Sequence, residues 1–240
     1  MKKLFVLILM TGFFSSFGQK LHKKDLLQIE KQVYQSALKN YDIDVAKNAV
    51  YHIIELEGEQ SQFMDTLAYI YYNQQQYLSC LKVTDKILKN EEKLPILELK
   101  AVSLENLNVP KEAIEVYEKI YQQKKEPYIA YKLAQLQQRI KRSAEAFETL
   151  KSAEGLKFPE KATITFPGIK KGEVQNVPFK AAFYNLMALT SYDLHDYDSA
   201  IKYFEEALKI YPDFLVAKQN KQAIELMKKK LESPDQPEKK

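Results

Sequence analysis

The chain has 240 residues, 45% hydrophobic and 28% charged, a balance that excludes both an intrinsically disordered protein and a multi-span membrane protein. Its formal charge of +4 is too small to imply an acidic partner, and Arg139 and Arg142 are its only arginines, which argues against nucleic acid. Cys80 is the sole cysteine, so no internal disulfide can form and stability must come from packing.

Residues 1–18 have the form of an export signal: Lys2 and Lys3, an apolar run from Leu4 to Phe14, and small residues at Ser16 and Gly18. Cleavage near Gly18/Gln19 would leave a mature chain that starts at Gln19 and carries a charge of +2, since Lys2 and Lys3 are the only charged side chains removed. An uncleaved anchor is the alternative, but a run of about eleven residues is short of the roughly 20 that a spanning helix needs. No cysteine follows the run to accept a lipid. The expected location is therefore outside the cytoplasm, periplasmic or envelope-associated, with no integral membrane segment after signal cleavage.

Residues 19–232 are expected to form one helical solenoid. Small residues recur at a near-fixed interval: Ala46, Cys80, Ala113 and Ala146 stand 34, 33 and 33 residues apart, and Ala200 resumes the series after 54. Twelve residues upstream of each runs a second series, Tyr34, Ala68, Ala101, Ala134 and Ala188. Two small positions in every unit of about 34 residues mark stacked helical hairpins. Where helices cross at close range a larger side chain would hold the backbones apart, at about 1 to 3 kcal/mol. Cys80 stands at such a position and reads as a small buried apolar residue.

Helical periodicity appears twice in each unit. In the second, Phe63, Leu67, Ile70 and Tyr71 share one face, and Leu81, Thr84, Ile87 and Leu88 share another after the break at Asn73–Gln76. The same reading places hairpins at about 23–56, 61–90, 94–123, 127–154 and 180–211. Pro110 and Pro127 suit first helical positions, and Pro212 follows a helix end. Between the fourth and fifth hairpins lies an insertion, 155–179, with Pro159, Pro167, Gly168, Gly172 and Pro178. Its first arm, Ala162–Phe166, alternates and is β-branched, which favours a short strand; the second, Glu173–Val177, fits strand or loop. The insertion either extends a binding face or covers apolar surface between two repeats. An amphipathic capping helix is expected over 213–232, with Lys228–Lys230 suited to its C-terminal dipole, and a disordered tail over 233–240.

The stretch Tyr184-Asn185-Leu186-Met187-Ala188, then Tyr192, then Asp196-Tyr197-Asp198-Ser199-Ala200-Ile201, Phe204, Ala207 and Pro212 closely resembles the tetratricopeptide repeat. Leu67-Ala68, Tyr71-Tyr72, Tyr77 and Cys80 resemble it in the second unit, Ala101 and Ala113-Ile114 in the third, and Leu133-Ala134 and Ala146 in the fourth. The resemblance implies an all-α fold: a right-handed superhelix of about five hairpins plus a C-terminal capping helix, with one small loop or β-hairpin insertion. His195 then occupies a turn where that family often has glycine.

Chemistry is hard to place on this chain. His22, His52 and His195 lie far apart, and none has a second ligand at the spacing of a helical metal motif. Gly58, Gly155, Gly168 and Gly172 make no phosphate loop, and no Gly-x-Ser-x-Gly elbow occurs. We therefore expect no catalytic residues, no metal, no cofactor and no enzyme activity.

Recognition remains. The resemblance implies that the first helix of each unit lines a concave groove, and by position this selects Asp65, Tyr69, Tyr72 and Asn73 from the second unit, Glu98, Val102 and Glu105 from the third, Tyr131, Gln135, Gln138 and Arg139 from the fourth, and Asn185, Leu189 and Tyr192 from the fifth. Such a groove is rich in aromatic and amide groups and suits an extended polar ligand. The basic clamp that some relatives use for a C-terminal carboxylate is not matched, since Gln35 stands where asparagine is expected. Two functions are open: a scaffold that binds a partner protein or extended peptide in the bacterial envelope, and a module in which Tyr72 and Tyr192 stack on glycan or peptidoglycan fragments.

Overall fold

In a computed structural model, residues 22–170 and 172–232 are described, and the expected export signal (1–18) and tail (233–240) lie outside the described residues. In chain order the elements are α1 (Lys23–Lys39), α2 (Ile43–Glu57), α3 (Phe63–Asn73), α4 (Tyr77–Asn90), α5 (Leu94–Asn106), α6 (Pro110–Gln123), α7 (Pro127–Arg139), α8 (Ser143–Ala153), β1 (Thr163–Pro167), β2 (Val174–Pro178), α9 (Phe179–Asp193), α10 (Tyr197–Ile210) and α11 (Leu215–Glu232). The fold is all-α, built of helical hairpins with a closing helix and one small β-hairpin. Prolines begin α6 and α7, where the absent N–H is one that an α-helix leaves unpaired anyway.

Every hairpin turns the same way. Tyr41, Gln75, Asn108, Lys141 and His195 each adopt a left-handed φ between 57° and 65°. They are spaced 34, 33, 33 and 54 residues apart, the spacing of the alanines. After each of them a backbone N–H reaches back to close the helix end: Asp42 to Ala37 O at 2.9 Å, Gln76 to Tyr71 O at 2.8 Å, Val109 to Leu104 O at 3.0 Å, Arg142 to Gln137 O at 2.9 Å and Asp196 to Ser191 O at 3.0 Å. This is the Schellman closure, and it offsets a left-handed conformation that costs a non-glycine residue about 1 to 2 kcal/mol. Asp42 and Asp196 then cap the next helix, accepting from Val45 N at 3.1 Å and Ser199 N at 3.0 Å.

The chain divides into two units, Met1–Phe63 and Met64–Lys240. In the first, α1 packs on α2 through Ala37, Ala46, Ala49, Val50 and Ile53. Tyr34, at a position that is small in the other repeats, is half-buried and meets Phe63 edge-on with ring centroids 5.4 Å apart. In the second, one apolar core runs from α5 to α11 and is fed by the inner face of the β-hairpin. The small residues Ala46, Ala68, Cys80, Ala101, Ala113, Ala134, Ala146, Ala188, Ala200 and Ala207 are all fully buried. Burial also pushes the Cys80 thiol up from its ordinary range.

The insertion is an antiparallel hairpin, with Thr163 opposite Pro178, Thr165 opposite Asn176 and Pro167 opposite Val174. The second arm, which the sequence left open, is a strand. Gly168 is required at the turn, because a Cβ there would lie 2.7 Å from Glu173 Cβ. Ile164, Phe166, Gln175 and Val177 face inward. Phe166 packs edge-on against Phe214 at 4.7 Å, and the Gln175 amide is bonded twice to the start of α11. Gln175 Nε2 donates to Asp213 O at 2.8 Å, and Leu215 N donates to Gln175 Oε1 at 3.1 Å.

Candidate functional site

Helix α7 places Tyr131, Gln135, Gln138 and Arg139 along one face, at intervals of four, three and one residues. Helix α9, which contacts α7 directly, presents Asn185, Leu186 and Leu189. Ala134 and Ala188 lie fully buried behind these faces. Between the two helices is a cavity of about 410 Å³, lined by these residues together with Leu136 of α7, Glu105 of α5 and Phe166 of β1.

Seven residues selected by sequence position thus meet in one place: Glu105, Tyr131, Gln135, Gln138, Arg139, Asn185 and Leu189. The rest do not. Asp65 is held by Lys93 Nζ at 3.0 Å, Tyr72 packs edge-on against Tyr77, and Tyr69 and Asn73 are exposed on α3. Tyr192 lies at the far end of α9, its ring 5.9 Å from Tyr197 and its hydroxyl 4.0 Å from Met227 Sδ. Two of the seven are more buried than a groove-lining role implies, because they also serve as core. Tyr131 is 4% exposed and meets Phe179 edge-on at 5.4 Å, and Asn185 is 3% exposed. Phe166 was not among the selected residues. Its signal was the alternation of Ala162–Phe166, which sets Ile164 and Phe166 on one face of a strand.

Several polar groups at the cavity are already engaged. Glu105 accepts from Tyr117 Oη at 3.1 Å and pairs with Lys132. Burial, and then the Glu105 charge, hold the Tyr117 phenol well above its usual range. Gln138 Nε2 donates to Asp193 Oδ2 at 2.9 Å. Burial, with a smaller contribution from Tyr128, raises the Tyr131 phenol to about 12.

Two groups are not satisfied in this way. Asn185 Oδ1 is buried with no hydrogen-bond partner among the described residues. Arg139 donates through Nη2 to Asn108 Oδ1 at 3.1 Å, and no carboxylate lies within ion-pair distance of it among the described residues. The cavity therefore offers a buried acceptor, a cation at its rim and an apolar wall of Leu136, Phe166, Leu186 and Leu189. Among the described residues no group of three or more His, Cys, Asp or Glu is placed to hold a metal ion, and no helix is long and apolar enough to cross a membrane.

The sequence profile of the tetratricopeptide repeat matches residues 181–214, which fall within α9, α10 and the turn that follows. A second profile, anaphase-promoting complex, cyclosome, subunit 3, matches residues 33–120. The structure of YrrB, described as a TPR protein with an unusual peptide-binding site, is similar with a TM-score of 0.63 at 12% identity, covering 84% of this chain and 92% of that one. The chain has the tetratricopeptide-repeat fold and carries a recognisable repeat at residues 181–214. MamA from Desulfovibrio magneticus RS-1 shares the repeat fold with a TM-score of 0.59 at 14% identity, over 80% of this chain and 98% of its own. No curated protein matches the sequence. Against the tetratricopeptide pattern, the left-handed turn residues of this repeat protein are notable for including no glycine at any of the five positions.

Proposed function

We propose that this repeat protein is a non-enzymatic scaffold that holds an extended peptide segment of a partner protein, and that it works in the bacterial cell envelope after export. The observation that carries the reading is the unpartnered Asn185 Oδ1 at the cavity between α7 and α9. A buried acceptor without a donor costs about 1 to 3 kcal/mol, and a peptide N–H is the donor that an extended segment supplies. YrrB, which has this fold, is described as having a peptide-binding site, which supports the same reading. Envelope location rests on the signal-like pattern of residues 1–18.

The glycan reading needs Tyr72 and Tyr192 to offer free ring faces. They stand on different repeats, away from the cavity, and each already has a tyrosine neighbour. The peptide reading is therefore preferred.

The test is in-cell cross-linking from a photoreactive residue at Gln135, which is exposed at the cavity. We expect one protein cross-linked in stoichiometric yield from the envelope fraction, lost when Asn185→Leu is added, on a chain whose N-terminus is Gln19. Retention of glycan instead of protein, or a chain that keeps Met1 in the cytosol, would overturn the corresponding half of the proposal.

A further inference from the structure

The β-hairpin inserted between the fourth and fifth repeats supplies one wall of the space between α7 and α9. Phe166, on the inward face of β1, is at once a wall of the cavity and a packing partner of Phe214. The hairpin that carries it is anchored at both ends. Phe179 N donates to Ala162 O at 2.8 Å, and the Gln175 amide is bonded to Asp213 and Leu215. The wall is thus fixed by the fold and does not wait for a ligand to form.

The chemistry facing this space is uneven. Leu136 and Leu186 are 3% and 5% exposed and form its floor, with Leu189 and Phe166 half-buried beside them. Asn185 Oδ1 adds one buried acceptor. Among the charged groups at the rim, Glu105 is paired with Lys132, so Arg139 is left as the charge without a partner of opposite sign among the described residues. At about 410 Å³ the cavity lies within the range of ligand pockets and has room for one large side chain together with the backbone and the neighbouring group beside it.

Resting on the peptide reading above, we propose that the inserted hairpin makes this cavity an anchor pocket for a single large apolar residue of the bound segment, its backbone N–H donated to Asn185 Oδ1 and a carboxylate beside it paired with Arg139. The occupant is a peptide in which Leu, Ile, Met or Phe stands next to a carboxylate, carried either by an acidic side chain or by the chain end. Phe166 determines the specificity: it sets the width of the pocket and excludes water from the anchor.

The probe is a pair of phage-displayed random heptapeptide libraries, one with free C-termini and one with the C-terminus fused to the coat, selected on the full mature chain. We expect enriched peptides to share one large apolar position with an acidic group adjacent. Enrichment from the free-ended library alone assigns the carboxylate to the chain end, and enrichment from both assigns it to a side chain. A synthetic copy of the best peptide should bind roughly tenfold to a hundredfold more weakly to Phe166→Ala, in line with losing the burial of one apolar contact. Because Phe166→Ala also removes packing on Phe214, Leu189→Trp is the second variant. It fills the cavity from α9 and leaves the hairpin untouched, and it should weaken binding at least as much with an unchanged circular dichroism spectrum. Arg139→Gln should remove most of the salt dependence of binding. Enriched peptides that bind wild type and Leu189→Trp equally would sink the anchor pocket while leaving peptide binding intact. No enrichment from either library would sink the peptide reading and the anchor with it.

Discussion

A buried carbonyl oxygen without a donor, such as Asn185 Oδ1, destabilises the free protein by about 1 to 3 kcal/mol. Asn185→Leu is close in volume and removes that penalty. Urea denaturation should show the variant more stable than wild type by about 1 kcal/mol, while peptide binding is lost. This is the trade between stability and function found where a site keeps a polar group poised for a ligand. A less stable variant would mean that the folded chain already satisfies Asn185. Tyr131 makes a second prediction. Its folded phenol is raised to about 12 by burial, and then by Tyr128, against an unfolded value near 10. The native state holds this proton more tightly, so the associated stability is fully present below about pH 10 and is lost as pH rises toward 12. The loss is about 3 kcal/mol for a shift of this size. Denaturation midpoints measured at about pH 9 and about pH 11 should diverge for wild type and diverge less for Tyr131→Phe.

At the scale of the element, the β-hairpin stands outside the helical repeat pattern and is tied to α11 through one side-chain amide. Gln175 joins β2 to the start of α11 by accepting from Leu215 N and donating to Asp213 O. Gln175→Ala should cost about 1 kcal/mol overall. Its local signature should be larger: faster amide exchange across β1, β2 and the first turn of α11, with α3 to α6 unchanged. Uniform exchange throughout the chain would show that the hairpin is held by Phe166 and Val177 packing without need of the amide. The helical hairpins are more self-sufficient, because each carries its own left-handed turn and backbone closure.

At the scale of the molecule, the two units differ in how much they bury. The first has Ala37, Ala46, Ala49, Val50 and Ile53 as its buried apolar residues, whereas the second holds a core extending from α5 to α11. Repeat proteins distribute stability by neighbour contacts, so opening need not be all-or-none. Native-state hydrogen exchange should find α1 and α2 opening at lower free energy than α7, α9 and α10. A single common opening energy would show the chain to be one cooperative block. The repeat architecture was legible in the sequence because Ala68, Ala101 and Ala134 recur every 33 residues, with Ala188 resuming the series after 54, and a close helix crossing tolerates little else. The left-handed turns were harder to read, since Tyr41, Gln75, Asn108, Lys141 and His195 share a conformation and no side-chain chemistry. By its periodicity the sequence determined the helical hairpins and the faces of α7 and α9, because helix spacing is a local property of the chain. Only the tertiary structure decided that Phe166 meets Asn185 and Arg139 across a cavity while Tyr72 and Tyr192 stay outside it. That outcome depends on where an inserted hairpin packs, a contact between segments that no repeat period encodes.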